Sequence, residues 1–190
     1  MYKFVFLSVL LASLLSVNGQ VVFPRQCPNN PIMAPFVPQQ YAGRWYEISR
    51  YNTETQTDGD CTLSQYTLVN PQLFNVQYNM LVGPQPIQIN GQSAVSFPNE
   101  VPLRGMLNLS FGGPPTTSNY WILGTDFVNY SVVWFCQNLN VTHSSETAWV
   151  LSRQRTIPPP AQQDVDFLVN QFLVPALLRP TVQDFARCGN

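Results

Sequence analysis

Lysine is almost absent from this chain, and its scarcity excludes two classes of function. Lys3 is the only lysine among 190 residues, and the other basic residues are arginines placed singly along the sequence. Nucleic-acid binding needs clustered basic side chains for the phosphates, so we exclude it. A Schiff base with an aldehyde such as retinal needs a lysine amine, so a chromophore would be held noncovalently or through another linkage.

The sequence has only one histidine and no cysteine pair at the spacing of a metal site. His143 is the only histidine, and it lies in a polar turn at 142–147. A lone histidine supports neither a catalytic triad nor a multi-histidine metal site. No two cysteines form a C-x-x-C pair, which argues against a structural zinc ion. We therefore predict no catalytic residue and no metal site.

Long apolar runs are also few, and the one that stands out is at the start of the chain. Lys3 is followed by an apolar run at 4–15 and by small and polar residues at 16–19, which is typical of a secretory signal peptide. A membrane anchor is the alternative, but the run is too short to span a bilayer. We expect 1–19 to be removed and 20–190 to be a single secreted domain with eight arginines against ten acidic residues, a formal net charge of −2.

Short segments rich in β-branched and aromatic residues recur after position 42, separated by Asn, Gly and Pro turn signals. They predict strands at roughly 43–52, 61–69, 73–82, 86–96, 103–111, 118–125, 130–137 and 147–153. Eight antiparallel strands at this spacing favour an all-β fold, an up-and-down β-barrel that closes on itself. The proline-rich stretch 21–38 is expected to run across the outside of the barrel.

One α-helix is predicted after the prolines at 158–160. Apolar residues recur there at helical spacing, at Val165, Leu168, Val169 and Phe172. This pattern indicates a helix whose apolar stripe packs against the outer wall of the barrel, and Pro175 is expected to end it.

The four cysteines predict two disulfides. Cysteines in even number in a secreted chain are usually paired. The spacing alone leaves three connectivities open among Cys27, Cys61, Cys136 and Cys188.

Four short motifs occur in order along the chain. They are Cys-Pro-Asn at 27–29, Gly-Arg-Trp-Tyr-Glu-Ile at 43–48, Tyr-Trp-Ile-Leu-Gly-Thr-Asp at 120–126 and Trp-Val-Leu-Ser-Arg at 149–153. With them the chain resembles the lipocalin family over nearly all of 20–190, and most closely the branch of apolipoprotein D and the insect bilin-binding proteins. The resemblance implies an eight-stranded calyx with one C-terminal helix packed outside, and disulfides Cys27–Cys136 and Cys61–Cys188.

The resemblance also implies structural roles for five residues. The Arg153 guanidinium is expected over the Trp45 ring as a cation–π contact that closes one end of the barrel. Gly43 precedes that tryptophan. Thr125 and Asp126 form a turn between two later strands, where the Asp126 carboxylate caps backbone N–H groups.

Strand alternation, placed on the family pattern, separates inward from outward side chains. Nine residues are predicted to line the lumen and contact a ligand: Tyr66, Tyr78, Met80, Ile89, Leu109, Phe111, Tyr120, Phe135 and Trp149. Cys136 is expected to face outward, and the mouth to be edged by 52–56 and 112–117. Such a wall suits one small, mostly hydrophobic guest.

Three asparagines begin Asn-x-Ser/Thr sequons, at Asn108, Asn129 and Asn140. These sequons are acceptors for N-linked glycans in secreted proteins, and a glycan has no room in the lumen. Asn108 is therefore expected to face outward, and the other two fall in turns.

These features predict a secreted lipocalin that carries a fatty acid, sterol, retinoid or similar lipid without a cofactor. Biliverdin is the alternative ligand, although Tyr78 and Met80 stand where pigment-binding relatives place polar groups. A second alternative is an extracellular glycoprotein whose loops contact a receptor or a lipid surface. Some lipocalins are enzymes that use a free lumen cysteine, whereas all four cysteines here match bridging positions. Glu47 is expected to be a half-buried, hydrogen-bonded strut rather than a catalytic acid.

Overall fold

The computed structural model describes residues 21–51, 59–114 and 119–189. The strands within these ranges are β1 (Val21–Phe23), β2 (Gly43–Tyr51), β3 (Gly59–Asn70), β4 (Leu73–Val82), β5 (Gln85–Val95), β6 (Met106–Ser110), β7 (Tyr120–Thr125), β8 (Tyr130–Asn138), β9 (Ser144–Ser152) and β10 (Leu178–Pro180). The helices are α1 (Pro38–Tyr41), α2 (Pro159–Phe172) and α3 (Phe185–Cys188), and a 3₁₀ turn spans Pro175–Leu177.

The sheet is a closed antiparallel barrel. Strands β2 to β9 pair with their sequential neighbours, and β9 pairs back with β2 to close the ring. This is the eight-stranded up-and-down barrel that the strand spacing predicts. The boundaries differ by a few residues: β3 begins at Gly59, β9 begins at Ser144, and β6 is shorter than predicted.

Two short strands extend the sheet beyond the ring. Val21–Phe23 pairs with the start of β9 as an edge strand outside the ring, a pairing that the sequence analysis did not predict for the stretch 21–38. Leu178–Pro180 pairs with the end of β2. Three-residue strands are too short to show an alternating pattern, which is why the sequence did not predict them.

The tail of the chain completes the wall between β2 and β3. Gly43–Tyr46 of β2 pairs directly with β3. Farther along, Thr181 N–H donates to the Ile48 carbonyl at 2.9 Å, while Cys61 N–H donates to the Val182 carbonyl at 2.8 Å. The tail therefore hydrogen-bonds to both strands where they separate.

Side chains on the two faces of the barrel form separate apolar clusters. The inner cluster comprises Phe36, Tyr41, Trp45, Tyr66, Phe74, Val76, Val95, Leu107, Tyr120, Ile122, Val133 and Leu151. The outer cluster comprises Tyr51, Leu123, Tyr130, Val132, Trp134, Cys136, Ala148, Val150, Ala161, Val165 and Leu173. Alternate residues of β8 and β9 enter opposite clusters, as the period of two in a strand requires.

Helix α2 covers the outer cluster, as predicted. Pro159 and Pro160 occupy its first turn, where a missing N–H has no cost. Val165 is buried in the outer cluster and Leu168 packs against it. A Cβ on Gly124 would lie 2.6 Å from Leu168 Cδ1, so the glycine lets the helix approach β7 closely.

Candidate ligand-binding site

An arginine and a tryptophan seal one end of the barrel. The Arg153 Cζ lies 3.7 Å from the centroid of the Trp45 ring, and Trp45 is fully buried. Arg153 also donates to the carbonyls of Phe127, Arg44 and Gln40 at 2.8–3.0 Å. Burial lowers the pKa of Arg153 from its ordinary value, but an arginine stays charged and the cation–π contact is kept.

Gly43 leaves space for that contact. Its backbone has a φ of +103°, and a Cβ at this position would lie 3.1 Å from Arg153 Nη1. A side chain would therefore be strained and would crowd the guanidinium.

The turn between β7 and β8 is organised by Asp126. Its Oδ1 accepts the N–H groups of Val128, Asn129 and Tyr130, and its Oδ2 accepts Asn129 Nδ2 at 2.6 Å. Burial alone would raise the pKa of Asp126, but these hydrogen bonds outweigh it and hold the pKa below its usual value. Thr125 Oγ1 donates to the Tyr130 carbonyl and accepts Phe127 N–H.

Above the seal, three tyrosines and a serine form a chain of hydroxyls. The Tyr41 hydroxyl lies 3.1 Å from that of Tyr120 and 3.2 Å from Ser131 Oγ, and Tyr66 hydrogen-bonds to Tyr120. Burial raises the pKa of Tyr41 to about 12 and the pKa values of Tyr66 and Tyr120 well above the ordinary value. These hydroxyls are therefore neutral and satisfy one another in the apolar interior.

Tyr66 and Tyr120, both predicted ligand contacts, have different aromatic neighbours. Tyr66 packs edge-on against Phe74 at 5.7 Å and against Tyr41 at 5.5 Å, in the floor. Tyr120 is stacked by the half-buried ring of Trp149, with centroids 6.0 Å apart. Trp149 thus forms the upper surface of this aromatic stack.

Towards the other end, inward-facing residues become accessible. Tyr78 follows Phe74 and Val76 on the inner face of β4 and lies opposite Ile89. The Tyr78 and Phe111 ring centroids are 5.8 Å apart. Ile89 is 39% exposed and Phe111 40% exposed, whereas Phe74 is fully buried. The inner wall is thus solid at the floor and accessible above it.

The remaining predicted contacts occupy different positions on the wall. Leu109 is half-buried against the inner cluster, and Met80, opposite Ile87, is half-buried on β4. Phe135 packs edge-on against Trp121 at 5.3 Å, and Trp121 packs against the outer cluster. The structure does not by itself gather all nine residues around one point, and their contact with a ligand stays a prediction.

An ion pair that the sequence did not predict is buried in the same wall. Glu47 lies opposite Leu151 and Arg50 opposite Trp149, and both are almost fully buried. Glu47 accepts hydrogen bonds from Arg50 and from Thr181 Oγ1. Burial raises the pKa of Glu47 against the opposing effects of Arg50 and Thr181. The expectation of a half-buried carboxylate was therefore wrong, since the C-terminal tail covers it.

Two disulfides fix the ends of the chain to the barrel. Cys27 is bonded to Cys136 and Cys61 to Cys188, the two pairs that the resemblance implies. Cys136 belongs to the outer cluster, so it faces outward as expected.

The three sequons lie on the outside in different settings. Asn108 is half-buried on β6, and its Oδ1 accepts from Ser96 Oγ at 2.6 Å. Asn129 belongs to the Asp126 turn. Asn140 is exposed in the turn between β8 and β9.

The expected mouth is described only in part. Residues 52–56 and 115–117 lie outside the described ranges. Across the described residues, no three His, Cys, Asp or Glu side chains are grouped so that they could hold a metal ion. No helix in that part of the chain is long and apolar enough to cross a bilayer.

A closed barrel with a sealed aromatic floor and an accessible apolar upper wall defines a cup-shaped, calyx-type β-barrel protein. Residues 38–171 match the family model for the lipocalin-like domain, and the chain belongs to the lipocalin family.

Its similarity to individual proteins points to one branch of that family. It is 32% identical to apolipoprotein D of Oryctolagus cuniculus over 151 residues, 78% of each chain. It is 29% identical to the Lazarillo protein of Schistocerca americana over 145 residues, 75% of this chain and 67% of that protein. The solved structure of insecticyanin from Manduca sexta shares the fold with a TM-score of 0.78 at 22% identity, covering 90% of this chain and 93% of that one. The chain thus lies in the branch of apolipoprotein D and the insect bilin-binding proteins.

Proposed function

We propose that this chain is a secreted carrier that holds one small hydrophobic ligand noncovalently in the barrel lumen. One observation carries the proposal: the inner apolar face is buried at the floor, yet Ile89 and Phe111 on the same face are 39% and 40% exposed. Apolar side chains that remain exposed within a concave wall are the usual lining of a small-molecule site.

The ligand is a lipid such as a fatty acid, sterol or retinoid. The upper wall contains aliphatic and aromatic groups, including Met80, Ile89 and Phe111. Lys3 is the only lysine and lies in the expected signal peptide, so an imine with the mature chain is excluded. The ligand is bound reversibly, and the chain needs no cofactor.

Secretion is supported by two disulfides, which persist in oxidising compartments. The apolar start of the chain and the three sequons agree with this route. We infer that residues 1–19 are removed and that 20–190 is the mature domain.

The carrier is not an enzyme. The four cysteines are all in disulfides, so no thiolate is available as a nucleophile. His143 lies in the turn between β8 and β9, where its Nδ1 hydrogen-bonds to Thr142, and not in the lumen.

The test is ligand titration followed by tryptophan fluorescence. A long-chain acid or a steroid should quench the emission saturably, and Trp149→Ala should weaken binding because the ring forms the upper surface of the stack over Tyr120. Trp134→Phe, in the outer cluster, is the matched control and should leave the affinity unchanged. No saturable signal with any apolar compound would contradict the proposal.

A bilin pigment is the second candidate ligand, and the likeness to insecticyanin in fold favours it. The inner wall of the barrel is less suited to a bilin, because the propionates of a bilin favour cationic partners. Arg50 is paired with Glu47, so this guanidinium is not available to a propionate. Strong absorbance at the red end of the visible spectrum in the purified protein would decide for biliverdin.

Loop contact with a receptor or a lipid surface is the third candidate. Val101 in the loop between β5 and β6 is 97% exposed and Val141 between β8 and β9 is 89% exposed. These tips lie on loops at opposite ends of the barrel. Binding to vesicles or cells that persists after the lumen variant Trp149→Ala would favour this function over carriage.

A further inference from the structure

Ser93 lies deep on the inner face of the barrel. In the register of the sheet it is opposite Phe74 of β4 and Leu109 of β6. Phe74 is a member of the inner cluster and Leu109 packs against it. Ser93 itself is fully buried. A hydroxyl is thus set into an otherwise apolar part of the wall.

The Ser93 hydroxyl has no hydrogen-bond partner among the residues that the structure describes. A buried polar group without a partner costs free energy, because it has lost its hydrogen bonds to water. A second deep serine on this face, Ser131, is hydrogen-bonded to Tyr41 within the chain of hydroxyls. Ser131 is therefore satisfied, whereas Ser93 lacks a partner within the described part of the chain.

The Phe111 ring covers the wall next to Ser93, on the side towards the open end. The next inward position on β5 is Gly91, and Phe111 fills the space that its side chain would take. A Cβ on residue 91 would lie 2.6 Å from Phe111 Cδ1. Phe111 is 40% exposed, and a rotation of its ring towards the open end would expose the wall at Gly91, one inward position from Ser93.

We propose that Ser93 determines ligand specificity by donating a hydrogen bond to a neutral oxygen, a hydroxyl or a carbonyl, at the inner end of an apolar ligand. The inference rests on the proposed carrier function and narrows its ligand class. The ligand oxygen replaces the hydrogen bond that the Ser93 hydroxyl lacks.

The electrostatics of the inner wall select a neutral group. Arg50 is paired with Glu47, and Arg153 is held against Trp45 and backbone carbonyls. A carboxylate at the depth of Ser93 would be buried without a cation, which is far more costly than a buried hydroxyl. A fatty acid therefore enters with its hydrocarbon end first, and an alcohol or a ketone enters with its oxygen first.

The experiment measures displacement of N-phenyl-1-naphthylamine from the full mature chain by 1-dodecanol and by dodecane. Three proteins are compared: wild type, Ser93→Ala and Ser144→Ala. Ser144 is the matched control, because it is buried and unpartnered like Ser93 but lies two residues from Glu146 on the outer face of β9, where Glu146 accepts Trp134 Nε1.

Ser93→Ala should weaken the affinity for 1-dodecanol about fivefold, the factor that corresponds to one neutral hydrogen bond. The affinity for dodecane should not change. Ser144→Ala should change neither affinity. The ligand-free Ser93→Ala protein should unfold at the same temperature as wild type or higher, because the substitution removes no hydrogen bond to any residue in the described ranges.

If Ser93→Ala lowers the affinity for both compounds equally, Ser93 acts through packing and not through a hydrogen bond, and the inference is overturned. Unchanged affinity for 1-dodecanol would also overturn it, while the carrier function would stand. If the probe binds wild type and neither compound displaces it, the inference is wrong for this ligand class. Failure of the probe and of both compounds to bind wild type would remove the carrier function and the inference together.

Discussion

Glu47 and Arg50 lie three residues apart on β2, yet both side chains are buried in the same wall because the pairing with β9 shifts register between Glu47 and Ser49. Without that bulge, the odd spacing would place the two charges on opposite faces. The strand is thus irregular at the point where the tail meets it, and Thr181 of the tail donates to the same carboxylate.

Glu47→Gln should therefore be strongly destabilising. It leaves the Arg50 guanidinium buried without its counter-charge, which typically costs about 3–5 kcal/mol. Chemical denaturation of both proteins measures the loss. Glu100→Gln is the control, since it removes an exposed ion pair with Arg104 and should change stability little. A loss no greater than that of the control would show that the buried pair is not needed.

Arg153→Met should lower stability by on the order of 2–4 kcal/mol, because it removes the cation–π contact with Trp45 and the hydrogen bonds to three backbone carbonyls. Thermal and denaturant unfolding measure the effect. Arg104→Met tests a cation over an exposed ring, Phe97, at 5.4 Å, and should have little effect. If Arg153→Met and Arg104→Met lose equal stability, the contact between Arg153 and Trp45 contributes no more than an exposed cation–π contact.

Acid should weaken the wild-type protein in part through Asp126. Its folded-state pKa is lowered, so its contribution is fully present above the ordinary aspartate value of about 4 and is lost as pH falls through the folded-state value. The free-energy difference between wild type and Asp126→Asn should therefore be largest above about pH 4 and shrink below it. Denaturant unfolding at several pH values measures it, and a difference independent of pH would contradict the role of the charge.

Gly91→Ala should disrupt the pairing of β5 with β6. The added Cβ would lie 2.2 Å from the backbone oxygen of Ser110 and would also meet the Phe111 ring. A backbone atom cannot avoid the clash by changing rotamer, as a side chain can. We therefore expect the free energy of unfolding to fall by about 1–3 kcal/mol, which is typical of overpacking. Gly112→Ala is the matched control, with no atom within 4 Å of the added carbon. Equal unfolding midpoints for the two variants would refute the expected clash.

The sequence predicted the ring of the barrel and helix α2 because both depend on regular patterns. Alternation along β8 and β9 and the apolar stripe from Val165 show a period over many residues. It also predicted the contact of Arg153 with Trp45, through family motifs.

The features that escaped prediction depend on irregular backbone or on distant segments. The bulge between Glu47 and Ser49 puts Arg50 on the same face as Glu47, which regular strand alternation would not predict. The three-residue strand at Leu178–Pro180 has no pattern of its own and is defined by pairing with β2. Whether a buried hydroxyl is hydrogen-bonded, as at Ser131, or not, as at Ser93, depends on neighbours that strand period does not identify.

The insertion of the tail between β2 and β3 also constrains how the chain can fold as it is made. Thr181 is 134 residues from Glu47, its partner in the first strand of the ring. Synthesis runs from the N-terminus, so β2 and β3 are made well before the segment that bridges them. Glu47 and Arg50 therefore stay uncovered until Thr181 has been added, and a chain truncated before Leu178 would leave the pair open to solvent between β2 and β3.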